Sequence, residues 1–196
     1  YEIMPSLVGS EMCIRDRDTI HAFEDWYEST YGQKVKVNYS TYASNEDLYA
    51  KLKSGAVSYD VIIPSDYMIA RLKDEGMLQP LNFDNIPNYQ HIHEGFQGLY
   101  YDPDNQYSVP YTYGVVGIIY DANQVDPADA QGWDLMWNEK YADDILMFDN
   151  SRDAIGIGLK MLGYSYNTTD ENQIKEAVDP VSYTHLRAHE TRHDLV

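Results

Sequence analysis

Two short polar clusters carry the residue types from which a site could be built. Ser65-Asp66-Tyr67 follows the apolar run Val61-Ile62-Ile63 and Pro64, and Asp149-Asn150-Ser151-Arg152-Asp153 follows Ile145-Leu146-Met147-Phe148. Both sit where an apolar stretch gives way to a helical pattern. Hydroxyls, amides and carboxylates at such a junction have an ordinary task, capping the helix and opposing its dipole. They also have a chemical one. Carboxylates among tyrosine rings hold an organic cation, by ion pairing at its ends and cation–π contact along its length. The chain has 19 tyrosines, so the aggregate says more than any single ring. A cation site needs at least one carboxylate free of internal partners, and Arg152 stands ready to neutralise one of its neighbours.

Other chemistries find less support. His91-x-His93-Glu94 places two histidines in an irregular stretch, a poor metal-ligand pattern. There is no G-x-S-x-G elbow, no Walker loop and no G-x-G-x-x-G. Ser65 has no sequence-adjacent base. Asn167-Thr168-Thr169 fits a glycosylation acceptor and equally a helix-capping loop. No catalytic residue, metal ligand or cofactor is assigned.

The surrounding pattern says what must hold the clusters. Residues 59–78 read as a short, uninterrupted apolar strand ended by Pro64, then a helix with Met68, Ile69 and Leu72 on one face, stopped by Gly76. That is the βα unit of a parallel sheet covered on both faces. Ligands bind beyond the carboxyl ends of such strands, which puts residues 64–67 on the rim of a crevice. Upstream, residues 18–31 form a helix with Ile20, Phe23, Trp26 and Tyr27 on one face, before Gly32. Residues 34–39 alternate as a strand, 40–46 form a polar loop, and Ser44 or Asn45 caps a helix over 46–54. Downstream, residues 82–101 are irregular, 107–111 and 114–120 are expected as strands, and 133–137 as a short helix. Residues 145–148 are expected as a buried strand. A helix then runs through Ile155, Leu159 and Leu162 to Gly163, and a last one, capped by Thr169 or Asp170, ends near Pro180. The alternation of strands and helices predicts an α/β fold.

Composition narrows the partners. With 14 Lys+Arg against 32 Asp+Glu, the net charge of −18 argues against nucleic acid. The longest apolar runs fall far short of the ~20 residues that a membrane-spanning helix needs.

The two ends look foreign to the rest. Residues 7–16 can be encoded by DNA whose opposite strand, read in register, translates as residues 181–190. The relation extends outward to residues 1–6 and 191–196. A sequencing adapter translated through at both ends explains this pairing. We therefore expect residues 1–17 and 181–196 to be adapter-derived tails and 18–180 to be an internal piece of a longer protein. The acidity belongs to that piece, since the tails hold only Glu2, Glu11, Asp16, Glu190 and Asp194. The single cysteine, Cys13, lies in a tail. On this expectation the natural N-terminus is missing, so the lack of a signal peptide carries no weight.

YSTYASNEDLYAKLKSGAVSYDVIIPSDYMIARLKDEGML (residues 39–78), SVPYTYGVVGIIYD (108–121) and MFDNSRDAIGIGLKMLGYSYNTTD (147–170) resemble the spermidine/putrescine-binding proteins of bacterial ABC transporters. The resemblance covers essentially all of residues 18–180. It implies a two-lobed, type II periplasmic-binding-protein-like α/β fold that closes by a hinge on a linear polyamine and hands it to membrane permease subunits. It implies a monomer without enzymatic activity, in the periplasm or tethered outside the membrane. Residues 18–120 correspond to the first lobe and 121–180 to the crossover and the beginning of the second. Ser65 and Tyr67 match first-lobe ligand contacts in the family's P-S-x-Y motif, and Asp153 matches a second-lobe carboxylate that meets an amine. Asn150 stands where the spermidine binder has an aspartate, with Asp149 adjacent. Tyr113 replaces a tryptophan beside the cleft, as wall or scaffold. The family's opening N-W-x-x-Y strand and the Trp-rich later second lobe have no counterpart here, so the chain alone is expected to bind polyamine poorly or not at all. Competing readings are a receptor of the same fold for another organic cation or a metal complex, an α/β hydrolase or transferase using Ser65 or Asp153, and a pure interaction module.

Overall fold

The computed structural model describes residues 4–10, 16–147 and 150–188, in two compact units, Tyr1–Tyr113 and Gly114–Val196. The first is built on a parallel three-stranded sheet of β1 (Ser6–Ser10), β2 (Asn38–Tyr42) and β3 (Val61–Ile63), in the order β2-β1-β3. Helices α1 (Asp16–Tyr31), α2 (Asn45–Lys53) and α3 (Asp66–Asp74) alternate with the strands, giving the expected α/β pattern.

The middle strand comes from a segment expected to be a foreign tail. Ser6 pairs with Asn38 and Ser10 with Tyr42 on one side, and Leu7 to Gly9 pair with Val61 to Ile63 on the other. Leu7-Val8 supplies the apolar content that this slot requires, and Val8 is buried. The same pairing corrects the reading of β2. The strand lies at 38–42 rather than 34–39, because β1 runs out to Ser10 and draws Ser40 to Tyr42, expected as loop, into the ladder.

Val8, Tyr42 and Leu48 form the core of this unit, with Leu52, Tyr59 and Ile62 against it. Met68 and Leu72 bury the inner face of α3. Each such side chain contributes about 1.5–3 kcal/mol when fully buried. Ser44 caps α2 as expected, its Oγ accepting from the Asp47 N–H at 3.1 Å. Glu75, just past α3, ties α3 to α2: its carboxylate accepts from Lys53 at 2.5 Å, from Arg71 at 3.1 Å and from the Tyr49 hydroxyl at 2.9 Å. Asp102 anchors the turn after residues 82–101, which form three short 3-10 turns. Its buried carboxylate accepts from the backbone N–H groups of Gln106, Tyr107 and Ser108 and from the Ser108 hydroxyl. Burial alone would raise its pKa, but these bonds outweigh burial and hold it below the usual aspartate value.

The aromatic face of α1 forms as expected, with Phe23, Trp26 and Tyr27 packed on one another, and Phe23 and Trp26 are exposed. Two other expectations need correction. Residues 107–111 and 114–120 are not strands. A strand needs a ladder partner, and among the described residues only β1, β2 and β3 form ladders, with Val35 in an isolated bridge; Val115 and Ile119 stand 90% and 99% exposed. For the same reason residues 145–147 are not a strand, and Leu146 is exposed. Phe148 and Asp149 lie outside the described residues.

The second unit contains 3-10 turns at Trp133–Trp137 and Glu139–Tyr141 and two packed helices, α4 (Ser151–Met161) and α5 (Glu171–Ala188). Glycines let the backbones approach. A Cβ on Gly158 would stand 2.8 Å from the Ala177 carbonyl and 2.9 Å from Val181, and one on Gly156 would fall 2.0 Å from the Tyr166 ring. Helix α5 does not end near Pro180. It continues to Ala188, and Val181, expected in the second tail, is buried against α4.

Candidate ligand-binding site

Ser65 stands at the N-cap position of α3 with extended backbone, yet its hydroxyl makes no cap bond. It is turned to Asn45 instead. Asn45 Nδ2 donates to Ser65 Oγ at 3.0 Å and to Tyr67 Oη at 3.1 Å, while Asn45 Oδ1 accepts from the Ser65 N–H at 3.1 Å. The Tyr42 hydroxyl gives its hydrogen to the Ile63 carbonyl at 2.7 Å and lies 3.4 Å from the Asn45 amide oxygen. Asn45 is only 8% exposed. A buried amide with its hydrogen bonds filled fixes one geometry, because any other arrangement leaves a desolvated polar group unpaired. The carboxyl end of β3, the start of α3 and the start of α2 are thereby pinned to a single side chain.

Two carboxylates flank Tyr67. Its hydroxyl donates to Glu46 Oε1 at 3.0 Å, and its backbone N–H donates to Asp66 Oδ1 at 2.7 Å. The other Asp66 oxygen accepts from the Tyr100 hydroxyl at 2.8 Å. Glu46 and Asp66 are exposed, and among the described residues no lysine or arginine pairs with either. The cluster is therefore negative and aromatic, as a cation half-site requires. Nearby Tyr101 stays protonated well above neutrality, since burial foremost and the Asp66 and Asp102 carboxylates next push its pKa up.

The second-unit residues form their own group. Asn150 caps α4: its Oδ1 accepts from the N–H groups of Arg152 at 2.9 Å and Asp153 at 3.3 Å. With its oxygen so committed, Asn150 keeps only amide N–H donors for a ligand, which suits an amine poorly. Asp153, half-buried in the first turn of α4, accepts from Tyr166 Oη at 2.6 Å. Arg152 donates to Asn167 Oδ1 at 3.1 Å. A shallow hollow of about 240 Å³ in this unit is lined by Ile118, Tyr120, Gln131, Trp133 and Leu135 among others, and includes none of the predicted residues.

Tyr113 is 73% exposed and stacks on Phe96 with ring centroids 4.9 Å apart. The structure thus gathers Ser65 and Tyr67 in the first unit and Asn150 and Asp153 in the second, with Tyr113 on a separate aromatic pair. Sequence reasoning missed Asn45, Glu46 and Tyr100. Asn45 read as a possible cap, and nothing in its local pattern signals that it is buried or faces residues twenty positions on.

In the first unit the polar groups stand at the carboxyl end of a strand in a parallel α/β sheet, where such sheets bind ligands. Residues 19–182 match the model of the bacterial extracellular solute-binding proteins, a family of transport receptors, and the chain belongs to that family. It is 35% identical over 176 residues to the spermidine/putrescine-binding periplasmic protein of Salmonella typhimurium, covering 84% of this chain and 50% of that one. The Escherichia coli protein of the same name is 38% identical over 146 residues, 73% and 41% of the two lengths. The solved TpPotD lipoprotein of Treponema pallidum superposes with a TM-score of 0.78 at 32% identity, covering 92% of this chain and 55% of that one. The chain thus spans about half the length of the relatives it matches.

Proposed function

We propose that the complete protein is the substrate-binding component of a bacterial ABC importer for polyamines. The observation that carries this is the set of Glu46 and Asp66 on either side of Tyr67, without a basic partner among the described residues, in a chain similar to spermidine- and putrescine-binding proteins. In this reading Ser65 and Tyr67 form the first half of the ligand site. Asp153 meets an amine from the second half, while Asn150 acts as cap and Tyr113 as scaffold for the aromatic wall. The protein does no chemistry on its ligand, acts as a monomer outside the cytoplasmic membrane, and presents its cargo to permease subunits. Titration calorimetry of the complete gene product with putrescine and spermidine tests it, with saturable binding of at least one expected. Absence of binding by both overturns it.

A receptor for a different organic cation is the second reading, favoured by one observation. Asn150 turns its oxygen into the α4 cap and leaves a donor where a carboxylate would suit an amine. Competition between the two polyamines and a panel of other cations separates the readings.

We further propose that residues 1–17 and 181–196 are translated adapter and that Ser6–Ser10 fills a slot for which the native gene encodes another strand. The codon-for-codon antisense relation supports this, as does a family match confined to residues 19–182. Sequencing the native locus across both junctions tests it: a genomic frame that encodes these termini would overturn the proposal.

A further inference from the structure

The hydrogen-bond chain Asn45–Tyr67–Glu46 has a direction. A phenol has one hydrogen to give, and Tyr67 gives it to Glu46 Oε1 at 3.0 Å. Asn45 Nδ2, held in a buried amide whose oxygen is occupied by the Ser65 N–H, donates to the same phenol oxygen at 3.1 Å. Both neighbours thus demand the same polarity: Asn45 can only donate here, and Glu46 as a carboxylate can only accept. Any ligand group that meets the Tyr67 oxygen must therefore bring its own hydrogen. An ammonium does so, whereas a carboxylate or an ether oxygen cannot.

We propose that Asn45 and Glu46, adjacent at the start of α2, are positioning residues that lock the Tyr67 hydroxyl as a hydrogen-bond acceptor and so make this half-site selective for amines. The assignment rests on the polyamine reading above. Glu46 acts through Tyr67 rather than by touching the ligand. The Glu46→Gln change is close to isosteric but offers an N–H to the phenol oxygen, letting the hydroxyl reverse and donate outward.

The test has two arms. In the first, tyrosine labelled at the hydroxyl-bearing ring carbon is introduced into the 196-residue chain, and the Tyr67 signal is assigned by its loss in Tyr67→Phe. Glu46→Gln and Asn45→Ala are expected to shift that signal without ligand; an unmoved signal in both overturns the proposal. In the second, putrescine affinity is measured by calorimetry on the complete receptor for Glu46→Gln, Tyr67→Phe and the double variant. Glu46→Gln is expected to weaken binding about tenfold alone and less than about twofold in the Tyr67→Phe background, since a pair that acts as one unit is not additive. Equal losses in both backgrounds would mean that Glu46 acts as a bare charge, and would overturn it. If the unaltered receptor binds no polyamine, the functional reading fails while the first arm still decides the polarity of Tyr67.

Discussion

Asn45 and Ser65 are joined at two points: the Asn45 amide donates to the Ser65 hydroxyl at 3.0 Å and accepts from the Ser65 backbone N–H at 3.1 Å. This clamp takes the side chain that local rules would assign to capping α3 and turns it toward α2. The position of the P-S-x-Y turn is thereby set by a residue twenty positions earlier, independently of helix formation in α3.

Asn45→Ala should destabilise the first unit by about 1–3 kcal/mol, since it removes the buried amide that bonds the Ser65 N–H, the Ser65 hydroxyl and the Tyr67 hydroxyl. Asn45→Asp keeps the acceptor for the Ser65 N–H but loses both donated bonds, so it should be hurt at neutral pH as well. Urea denaturation of the three chains measures this, and wild-type midpoints in both variants would deny the clamp its structural role.

The α4–α5 contact gives a second expectation. A methyl at Gly158 meets backbone, the Ala177 carbonyl at 2.8 Å, so the helices must separate. Gly158→Ala should cost about 1–3 kcal/mol in spite of its better helix propensity. Gly156→Ala meets instead the Tyr166 ring, which would have to swing away and release its 2.6 Å bond to Asp153. Thermal melts report both changes. Only Gly156→Ala should also alter the environment of Tyr166 in near-ultraviolet circular dichroism.

Glu75 gives the first unit a dependence on acid. Hydrogen bonds from Lys53 foremost, then Arg71 and Tyr49, lower its pKa from 4.5 to about 2. A carboxylate depressed on folding stabilises the fold at pH above its unfolded value, and that contribution is lost as pH falls through the folded value. Stability should therefore decline between about pH 4.5 and 2, and Glu75→Gln should flatten that part of the profile. The cluster is solvent-accessible, so the effect should shrink as salt is added. Urea midpoints across this pH range, at low and high salt, measure it.

If Asp153 meets an amine, Asp153→Asn should weaken polyamine binding by the complete receptor at least about tenfold, because the charge-assisted bond is lost. Tyr166→Phe should weaken it only a few-fold, since it removes the 2.6 Å bond that orients the carboxylate but not the carboxylate itself. Calorimetry on both variants gives the comparison. Equal losses would place Tyr166 in contact with the ligand.

Local chemistry was legible in the sequence and partnership was not. The helical spacing of Met68, Ile69 and Leu72, the Ser44 cap and the apolar run of β3 could be read because each depends on near neighbours. Ser65, Tyr67 and Asp153 became candidates through a strand-to-helix pattern and a family motif. Asn45 was not, because its partners lie twenty residues away and its burial is a property of the assembled unit. Residues 107–120 failed in the opposite sense. Their apolar, β-prone composition is local, but a strand exists only when a second strand completes its hydrogen bonds, and among the described residues none does.

The last expectation concerns the strand built from residues 6–10. In the sheet order β2-β1-β3, the outer strands pair with β1 and not with each other. Removing residues 1–17 therefore cannot simply trim an end. It deletes both ladders together with Val8, which is 1% exposed beneath Leu48 and Tyr42. The truncated chain should lose cooperative unfolding of the first unit, while α4 and α5, which lie in the second unit, keep their protection in hydrogen exchange. Any five-residue segment able to place apolar side chains at the Leu7 and Val8 positions should restore the sheet, because the ladder bonds come from the backbone and the slot asks only for burial. A native opening strand taken from the genomic locus is the segment to try. If it restores cooperative unfolding to the truncated chain, the present strand is a substitute that satisfies packing alone. If the truncated chain is already as stable as the intact one, the sheet does not depend on its middle strand, and Ser6–Ser10 is a passenger on an independently folded pair of helices.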